Sequence, residues 1–169
     1  MQAERMQFTR RGILGAGAGL CAAAAAWPVR AGSVAKGDFP VAHFEREWRE
    51  MLTEAEYHVL REAGTERAFT SPLNDEKRRG VFQCAGCDNR VYTSVTKFES
   101  GTGWPSFYAP VTGAVGTMKD DSLLMSRTEV HCARCGSHLG HVFDDGPPPT
   151  GKRHCINGVA LTFRPVPKA

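Results

Sequence analysis

Apolar positions recur at helical spacing near the start of the chain and in short, strand-like runs further on. From Glu45 onward, the helical positions are Trp48, Met51, Leu52, Tyr57 and Leu60. Within this stretch, Thr53 and Glu56 have the spacing of a capping box, in which each side chain binds the other residue's backbone N–H. Gly64 follows the last apolar position, and glycine commonly ends helices. The pattern predicts a short helical part between Glu45 and Gly64.

Beyond this part, the chain consists of short segments rich in β-branched and aromatic residues, with Gly and Pro between them. These segments are GVFQC (80–84), RVYTSVTKF (90–98), LLMSRTEVHC (123–132), HLGHVFDD (138–145) and INGVALTFRPV (156–166). Segments of this kind are typical of β-strands. The sequence therefore predicts a β-rich domain that carries a short helical N-terminal part.

The first 31 residues have the character of an export signal. Arg10 and Arg11 precede a run of Gly, Ala and Leu, and residues 29–31 form a small-residue cleavage pattern. The run is too short and too rich in glycine for a membrane span of ~20 apolar residues. We expect a cleaved twin-arginine signal, a periplasmic mature protein and no stable membrane anchor. The alternative is a disordered basic N-terminus.

Removal of this segment also removes the net charge. Its four arginines and one glutamate account for the whole formal excess of +3, so the rest of the chain is formally neutral. A neutral chain offers no electrostatic basis for binding nucleic acid or an anionic membrane. We divide the chain into a signal (residues 1–31), an arm (residues 32–44) and one domain (residues 45–167), and we expect a monomer.

Two near-copies of one motif, QCAGCDNRVY and HCARCGSHLG, are named here the first and second knuckle. They place four cysteines in two C-x-x-C pairs, Cys84, Cys87, Cys132 and Cys135. Each pair can offer two thiolates from one tight turn, and two such turns that face each other form a tetrahedral cage for zinc. A four-thiolate cage has no open coordination position, so the predicted zinc ion is structural.

Three other interpretations of the knuckles remain open. In an oxidising compartment, each C-x-x-C pair could form a disulfide. Cys132 and Cys135 could instead bind zinc together with His138 and His141. The gap between those two pairs is shorter than the dozen or so residues usual in zinc fingers, however, and the first knuckle would be left without a role. Four thiolates could also hold an iron–sulfur cluster.

Cys155 remains once four cysteines are assigned to metal and Cys21 to the signal. It could be a buried structural cysteine, which is common on apolar strands. The adjacent Arg153 and His154 favour a reactive thiol instead, because positive charge lowers the pKa of a thiol and raises its thiolate fraction.

Two further stretches carry candidate partners for this thiol. Trp104 lies on the turn of GTGWPSF, where its ring could be offered to a ligand. His138 and His141 lie in GSHLGHVFDDGP and could donate protons. Each of these three residues is also compatible with a purely structural role.

Together these segments resemble, in order, the signatures of the B-type methionine sulfoxide reductases. The segments are GTERAFTSPL, GVFQCAGC, FESGTGWPSF, HCARCGSHLGHVFDDGP and RHCINGVAL, and the resemblance runs from about Trp48 to Phe163. It implies a mainly antiparallel β fold of two sheets with short N-terminal helices and a zinc clamp formed by the knuckles. It also implies an enzyme that reduces methionine-R-sulfoxide to methionine, with protein-bound residues favoured as substrate and the free amino acid left open.

The resemblance implies a role for each matching residue. Cys155 would attack the sulfoxide sulfur and become a sulfenic acid, while Trp104 would pack on the substrate's S-methyl group and help to select the R epimer. His138 and His141 would hold or protonate the sulfoxide oxygen. The other expected site residues are Asn157 and Arg153 around the thiolate, Asp145 as a partner of Arg153 or a histidine, and Phe107 as a substrate contact.

The sequence departs from the family pattern where many relatives carry a resolving cysteine. That position, two residues before Trp104, is Thr102, and a second such position, just before GTE, is Ala63. No spare cysteine is left to form a disulfide with Cys155, so we expect a thioredoxin-like protein or a small-molecule thiol to reduce the sulfenic acid directly. His154 also stands where an aromatic residue is usual in the family.

Other classes of function account for only part of this pattern. A non-enzymatic, zinc-clamped binding module would keep both knuckles but would have no need of Cys155, Trp104 and the two histidines. A thiol oxidoreductase that works through the C-x-x-C pairs would require those pairs to be free of metal. The sequence therefore favours the reductase.

Overall fold

The structure, a computed structural model, describes residue 35, residues 37–122 and residues 125–167. The export signal predicted over residues 1–31 lies outside the described residues. Within the described part of the chain, no helix is long and apolar enough to cross a membrane.

Two short helices begin the domain. They are α1 (Glu45–Met51) and α2 (Glu54–Glu62). The predicted capping box is present, because the Glu56 carboxylate accepts the backbone N–H of Thr53 at 2.8 Å and the Thr53 hydroxyl accepts that of Glu56 at 3.3 Å. The helix ends before the predicted terminator, since Ala63 already adopts the left-handed conformation with φ 52°. Gly64 follows, and its N–H binds the carbonyl of His58 at 3.0 Å.

The rest of the described chain forms two antiparallel sheets. Their strands are β1 (Gly80–Cys84), β2 (Arg90–Thr93), β3 (Lys97–Phe98), β4 (Ser106–Phe107), β5 (Val115–Asp120), β6 (Arg127–Cys132), β7 (His138–Phe143), β8 (Arg153–Ile156) and β9 (Leu161–Pro165). One sheet has three strands in the order β2-β1-β9, and the other has six in the order β3-β4-β8-β7-β6-β5. The predicted fold class, mainly β with two antiparallel sheets and short N-terminal helices, is confirmed.

The strands differ from the predicted segments in extent. Segment 90–98 is divided into β2 and β3 by a turn in which Thr96 N–H binds the carbonyl of Thr93 at 3.2 Å. Segment 156–166 is interrupted by a single 3₁₀ turn, Gly158–Ala160, so that β8 and β9 belong to different sheets. Two strands were not predicted: β4, which has two residues, and β5, which contains few apolar side chains.

The core lies between the two sheets and under the helices. Phe82 of the three-stranded sheet meets Phe107 of the six-stranded sheet edge to face, with ring centroids 5.0 Å apart. Tyr92 stacks on the same Phe107 ring at 4.3 Å. Trp48 and Leu60 close the core from α1 and α2. These contacts make β4 and β8, which neighbour each other in the larger sheet, a rigid base for the residues on their opposite face.

Candidate active site

Strand pairing places Cys155 within a row of side chains that crosses the six-stranded sheet. Cys155 of β8 pairs with Ser106 of β4 on one side and with His141 of β7 on the other. His141 pairs in turn with Glu129 of β6. Because directly paired residues of antiparallel strands point to the same face, the candidate nucleophile and a candidate proton donor are neighbours.

A pocket of about 140 Å³ opens on this face. Its lining residues are Thr65, Trp104, Arg127, Gly140, His141, Phe143, Cys155 and Asn157. Pockets for drug-sized ligands measure roughly 300–1,000 Å³, so this one has room for the end of a single side chain. Four of the predicted site residues, Trp104, His141, Cys155 and Asn157, therefore meet in one small cavity.

The Cys155 thiol is half-buried, and its acidity differs from the expectation. Burial raises the pKa of Cys155 above its ordinary value, while the Thr102 hydroxyl and the charge of Arg153 oppose this effect without overcoming it. His154 gives no help, because adjacent strand residues face opposite sides. Its Nδ1 lies 3.1 Å from the hydroxyl of the buried Tyr92. The positive neighbours thus do not make Cys155 a low-pKa thiol, which corrects the inference drawn from its flanking sequence.

Three hydroxyl groups form a chain that leads from the sulfur into the protein. Thr102 Oγ1 lies 3.9 Å from Cys155 Sγ and 2.8 Å from Ser100 Oγ. Ser100 Oγ lies 2.7 Å from Ser106 Oγ, and Ser106 donates to the carbonyl of Trp104 at 3.1 Å. A hydroxyl has one hydrogen and a carbonyl can only accept, so every hydroxyl in the chain donates away from the sulfur. Thr102 can donate to a Cys155 thiolate only if all three hydroxyl groups turn and donate in the opposite direction. The hydrogen bond from Thr102 therefore stabilises the thiolate less than a free hydroxyl would.

Arg153 is fixed at the side of the pocket by two contacts. Its Nε and Nη2 donate to the two carboxylate oxygens of Asp145 at 2.9 and 2.8 Å. The guanidinium also lies over the ring of Phe143, 4.5 Å from its centroid. Of the two partners proposed for Asp145, the structure thus places it against Arg153. Phe143, which the sequence analysis did not single out, lines the pocket.

His141 is bound to Asp120, an acid that the sequence analysis missed. Nε2 of His141 lies 2.7 Å from Asp120 Oδ2, and Arg127 Nη2 donates to the same oxygen at 2.7 Å. Burial by itself would raise the pKa of Asp120, but hydrogen bonds from Ser122 and His141 and the charge of Arg127 hold it well below its usual range. An ionised carboxylate only accepts, so Nε2 of His141 carries the hydrogen and Nδ1 is the free nitrogen.

The protonation state of His141 follows from its environment. Burial lowers the pKa of His141, and the hydrogen bond to Asp120 opposes this effect only in part. The imidazole is therefore neutral at neutral pH, and its Nδ1 can accept a proton. Little in the sequence indicated Asp120. The strand that carries it, β5, has few apolar residues, and Asp120 is 21 residues away from His141 in the chain.

His138 occupies a deeper position than predicted. It is buried, its Nδ1 lies 3.1 Å from a carboxylate oxygen of the equally buried Glu129, and it is absent from the pocket lining. Its ring meets that of His141 edge to face, with centroids 5.3 Å apart. A group in the pocket would therefore meet His141, while His138 supports that ring from the protein side.

Trp104 and Asn157 are held by hydrogen bonds on the pocket wall. Trp104 Nε1 donates to the carbonyl of Glu66 at 3.2 Å. The Asn157 side chain donates through Nδ2 to the carbonyl of Leu139 at 3.1 Å and accepts the N–H of Glu66 at 3.0 Å through Oδ1. Both predicted residues thus have a fixed orientation beside Cys155.

Phe107 does not belong to the site. It is fully buried and packs between Tyr92 and Phe82 in the core. Phe107 pairs with His154 in the β4–β8 ladder, so both residues face away from Cys155. This placement corrects the expectation that Phe107 contacts substrate, because a ligand in the pocket cannot reach its ring.

The four knuckle cysteines come together in a separate cluster. All four Sγ atoms lie within 4.8 Å of one another. Across the knuckles, Cys84 Sγ lies 3.8 Å from Cys135 Sγ and Cys87 Sγ lies 3.6 Å from Cys132 Sγ. A tetrahedral zinc ion with bonds of about 2.3 Å requires sulfur–sulfur distances of about 3.8 Å. The donor set therefore fits a four-thiolate zinc site.

The surroundings of the sulfurs also suit thiolates. Asn89 Nδ2 and the backbone N–H of Arg134 each donate to Cys132 Sγ at 3.4 Å, as expected around a negatively charged ligand. All five cysteines in the described part of the chain are free thiols, so neither C-x-x-C pair is a disulfide. Among the described residues, these four form the one cluster of three or more possible metal ligands, and His138 and His141 are not part of it.

The knuckles lie on different sheets. The first is the turn between β1 and β2 in the three-stranded sheet, and the second is the turn between β6 and β7 in the six-stranded sheet. A metal ion held by both would link the two sheets at one end of the core. It would have no contact with the pocket through its own ligands, since Cys155 is not among them.

A free thiol that faces a pocket, and a separate four-cysteine cluster that could hold a structural metal in a β fold, define the class of small β proteins with a candidate reactive cysteine and a candidate metal clamp. The comparison with protein families then specifies which one. Residues 52–165 match the SelR domain, and the chain belongs to this family.

The chain is also similar to several proteins named as peptide methionine sulfoxide reductases. It is 54% identical over 123 residues to the peptide methionine sulfoxide reductase MsrB of Agrobacterium fabrum, covering 72% of this chain and 91% of that protein. It is 56% identical over 121 residues to the MsrB of Methanosarcina barkeri, with coverages of 71% and 85%. For the MsrB of Pseudomonas putida the identity is 57% over 120 residues, with coverages of 70% and 90%. The resemblance to the B-type reductases inferred from the motifs is confirmed.

Proposed function

We propose that this protein is a peptide-methionine (R)-S-oxide reductase, an oxidoreductase that converts methionine-R-sulfoxide to methionine. The relatives named as peptide methionine sulfoxide reductases support the general activity. The observation that carries the proposal is the position of Cys155, a free cysteine, opposite His141 in the β8–β7 register, with both residues and Trp104 lining one small pocket. Oxidised proteins are the proposed substrates, with free methionine sulfoxide as a smaller alternative.

The two sides of the pocket suit the two small substituents on the sulfoxide sulfur, the methyl group and the oxygen. The ring of Trp104 offers an apolar face for the S-methyl group, and Phe143 extends this apolar side. His141 and Asn157 form the polar side, on which the sulfoxide oxygen would lie. Because sulfur in a sulfoxide is chiral, a pocket with one apolar and one polar side accepts one epimer better than the other.

In the first chemical step, neutral His141 accepts the thiol proton of Cys155 at Nδ1. A base is needed because burial keeps the pKa of Cys155 above its ordinary value, so that the thiol is protonated at neutral pH. The sulfur of Cys155 attacks the sulfoxide sulfur, and His141 returns the proton to the sulfoxide oxygen. Asp120 stabilises the positive charge that His141 carries between these two transfers.

The step ends with transfer of the oxygen to Cys155. The sulfoxide S–O bond breaks, the substrate gains two electrons and leaves as methionine, and Cys155 loses two electrons and becomes a sulfenic acid that carries the oxygen and the former thiol proton. Atoms and charge are thereby conserved, since a thiol and a sulfoxide give a sulfenic acid and a thioether.

An external thiol completes the cycle. The other four cysteines of the described chain gather in the cage, and the side chain at position 102, 3.9 Å from the sulfur, is a threonine. A thiol of a thioredoxin-like protein or a small molecule attacks the sulfenic acid, releasing water and forming a mixed disulfide, and a second thiol then frees Cys155. We propose that this cycle takes place in the periplasm, after export directed by residues 1–31, and serves to repair oxidised proteins.

Zinc is the metal we propose for the cage. When bound by Cys84, Cys87, Cys132 and Cys135, zinc would cross-link the two sheets through its thiolate ligands. Such a site has no open coordination position for substrate. The non-enzymatic binding module remains the alternative function, and it shares this cage.

A thiol titration tests the proposal. The mature, metal-loaded protein is titrated before and after one equivalent of a peptide containing methionine-R-sulfoxide, with mass spectrometry of the product. We expect loss of one fast-reacting thiol, release of one methionine per chain and addition of one oxygen to the Cys155 peptide, with no disulfide. Cys155→Ser serves as the control and should release no methionine. If the substrate leaves the thiol untouched, the reductase assignment fails and the binding module replaces it.

A further inference from the structure

Glu66 lies where three parts of the site meet, and no step above uses it. Its carboxylate accepts the backbone N–H groups of Gly158 and Val159, the latter at 2.9 Å. These two groups open the 3₁₀ turn that follows Asn157, immediately after the strand that carries Cys155. The side chain of Glu66 is therefore anchored to the segment that leaves the active site.

The main chain of Glu66 holds two residues of the pocket wall. Its N–H donates to Asn157 Oδ1 at 3.0 Å, and its carbonyl accepts Trp104 Nε1 at 3.2 Å. The indole ring has no other polar hydrogen, so this is the one hydrogen bond that the Trp104 side chain can donate. The orientations of the apolar and the polar wall thus depend on the position of one residue.

Asn157 is especially constrained by this arrangement. It is buried, and both ends of its amide are paired, Nδ2 with Leu139 and Oδ1 with Glu66. If the backbone at Glu66 moves, the amide oxygen loses its donor inside the protein and the side chain must turn to find another. Release of the Glu66 carboxylate from the turn at Gly158–Ala160 removes the contacts that prevent this movement.

We propose that Glu66 is a positioning residue that sets the choice between the two epimers of methionine sulfoxide. The inference rests on the proposed function and extends it to a residue outside the pocket lining. The two epimers exchange the positions of oxygen and methyl group around sulfur, so discrimination requires Trp104 and Asn157 to stay in place relative to Cys155. Glu66 holds both, and without its carboxylate either wall can turn and accept the S epimer.

Glu66→Ala and Glu66→Gln test this proposal. A matched control is Glu56→Ala, because the Glu56 carboxylate also accepts a backbone N–H, that of Thr53 at 2.8 Å, but at the cap of α2. For each variant, kcat/KM is measured for both epimers, together with the Tm and the rate at which iodoacetamide alkylates Cys155. Where turnover of the S epimer is below detection, the inhibition constant of the S epimer against reduction of the R epimer is measured in place of kcat/KM.

We expect Glu66→Ala to reduce the preference for the R epimer by about tenfold or more, the range in which small changes in pocket fit act. Glu66→Gln keeps one acceptor oxygen and should retain part of the preference. Glu56→Ala should lower the Tm and leave the preference unchanged. Alkylation of Cys155 should change little in all three, since the thiol has its own contacts.

Two outcomes would overturn the inference that Glu66 controls epimer selectivity. If both Glu66 variants lose activity toward the two epimers in equal proportion, or lose only stability as Glu56→Ala does, Glu66 is a structural residue and the inference is overturned. Glu66→Gln settles the question even where Glu66→Ala does not fold. A wild type that reduces neither epimer refutes the proposed function itself, an outcome distinct from an active wild type whose selectivity the variants leave intact.

Discussion

At the scale of single residues, the acidity of Cys155 depends on groups that point toward the sulfur, not on those adjacent in sequence. Arg153 faces it, while His154 lies on the opposite side of β8 against Tyr92. The flanking sequence RHC could not separate these two, because strand alternation becomes usable only when the strand and its faces are known. The same alternation explains Phe107, which shares a motif with Trp104 but points into the core.

The hydroxyl chain gives the first residue-scale prediction. Thr102→Val removes the hydroxyl that can donate to the thiolate, so the pKa of Cys155 should rise. Ser100→Ala breaks the chain and frees the Thr102 hydrogen for the sulfur, so that pKa should fall. The pH dependence of iodoacetamide alkylation measures both shifts.

Thr102→Ser, which keeps the hydroxyl, is the control and should behave like wild type. Arg153 and His141 also face the sulfur and are unchanged in all of these variants. Shifts of the same sign in Thr102→Val and Ser100→Ala would show that the chain does not have the direction deduced for it.

Asp120 gives the second prediction at this scale. Asp120→Asn removes the charge that stabilises protonated His141, so kcat should fall by about a hundredfold, within the usual range for loss of acid–base assistance. The same change should lower the pKa of His141, since the hydrogen bond to Asp120 raises it. The acidic limb of the pH–rate profile should therefore move to lower pH.

Asp121→Asn is a matched control for this variant. Asp121 is the next residue, is largely exposed and pairs with Lys119 at 2.9 Å, so its replacement should leave both the rate and the profile unchanged. Equal losses in the two variants would indicate a general effect of charge near β5 and would remove Asp120 from the mechanism.

At the scale of elements, β8 divides its side chains between two environments. Cys155 faces the pocket, and His154 is buried against the core with a pKa lowered to about 4 by burial and by the charge of Lys152. The capping box and the knuckle turns were predictable because each is a local motif with its own chemistry. β5 and the pairing of β4 with β8 were not, because they depend on contacts between segments far apart in the chain.

The buried His154 predicts a loss of stability in mild acid. An unfolded histidine has a pKa of about 6.5, and the folded value is about 4. Between these values the unfolded chain binds a proton that the folded chain does not, so the free energy of unfolding falls as the pH decreases through this window. The loss from this residue should be about 3 kcal/mol or less, measurable by urea unfolding at several pH values.

The double variant Tyr92→Phe/His154→Phe tests the assignment. It removes both partners of the buried hydrogen bond, so no polar atom is left unpaired, and the pH dependence in this window should flatten. Tyr92→Phe alone keeps the histidine and should keep the dependence. An unchanged slope in the double variant would assign the acid sensitivity to other groups, such as His141, whose pKa is also lowered by burial.

At the scale of the whole molecule, the two sheets are joined by core packing and by the cage of knuckle cysteines. Cys84 and Cys135 are 51 residues apart in the chain. Closure of a loop of that size by a cross-link stabilises a folded protein by about 4 kcal/mol. Removal of the metal by a chelator, or Cys87→Ser, should therefore lower the Tm by roughly 10 °C.

Metal analysis of the purified protein accompanies this measurement. One zinc per chain is expected, and one iron or an iron–sulfur cluster would show that the cage holds a different group in the same donor set. A Tm that does not change when the metal is removed would mean that packing alone joins the sheets.

The threonine at position 102 has a consequence for the working lifetime of the enzyme. In a protein with a resolving cysteine, a disulfide forms at once and protects the oxidised sulfur. In the proposed cycle, the sulfenic acid of Cys155 persists until an external thiol reduces it, and during that time a peroxide can oxidise it to the sulfinic acid, which ordinary thiols do not reverse. The number of turnovers before inactivation is thus set by the ratio of reductant to oxidant in the compartment. An enzyme with the proposed cycle would be inactivated whenever oxidation of Cys155 outpaces the supply of reducing thiols.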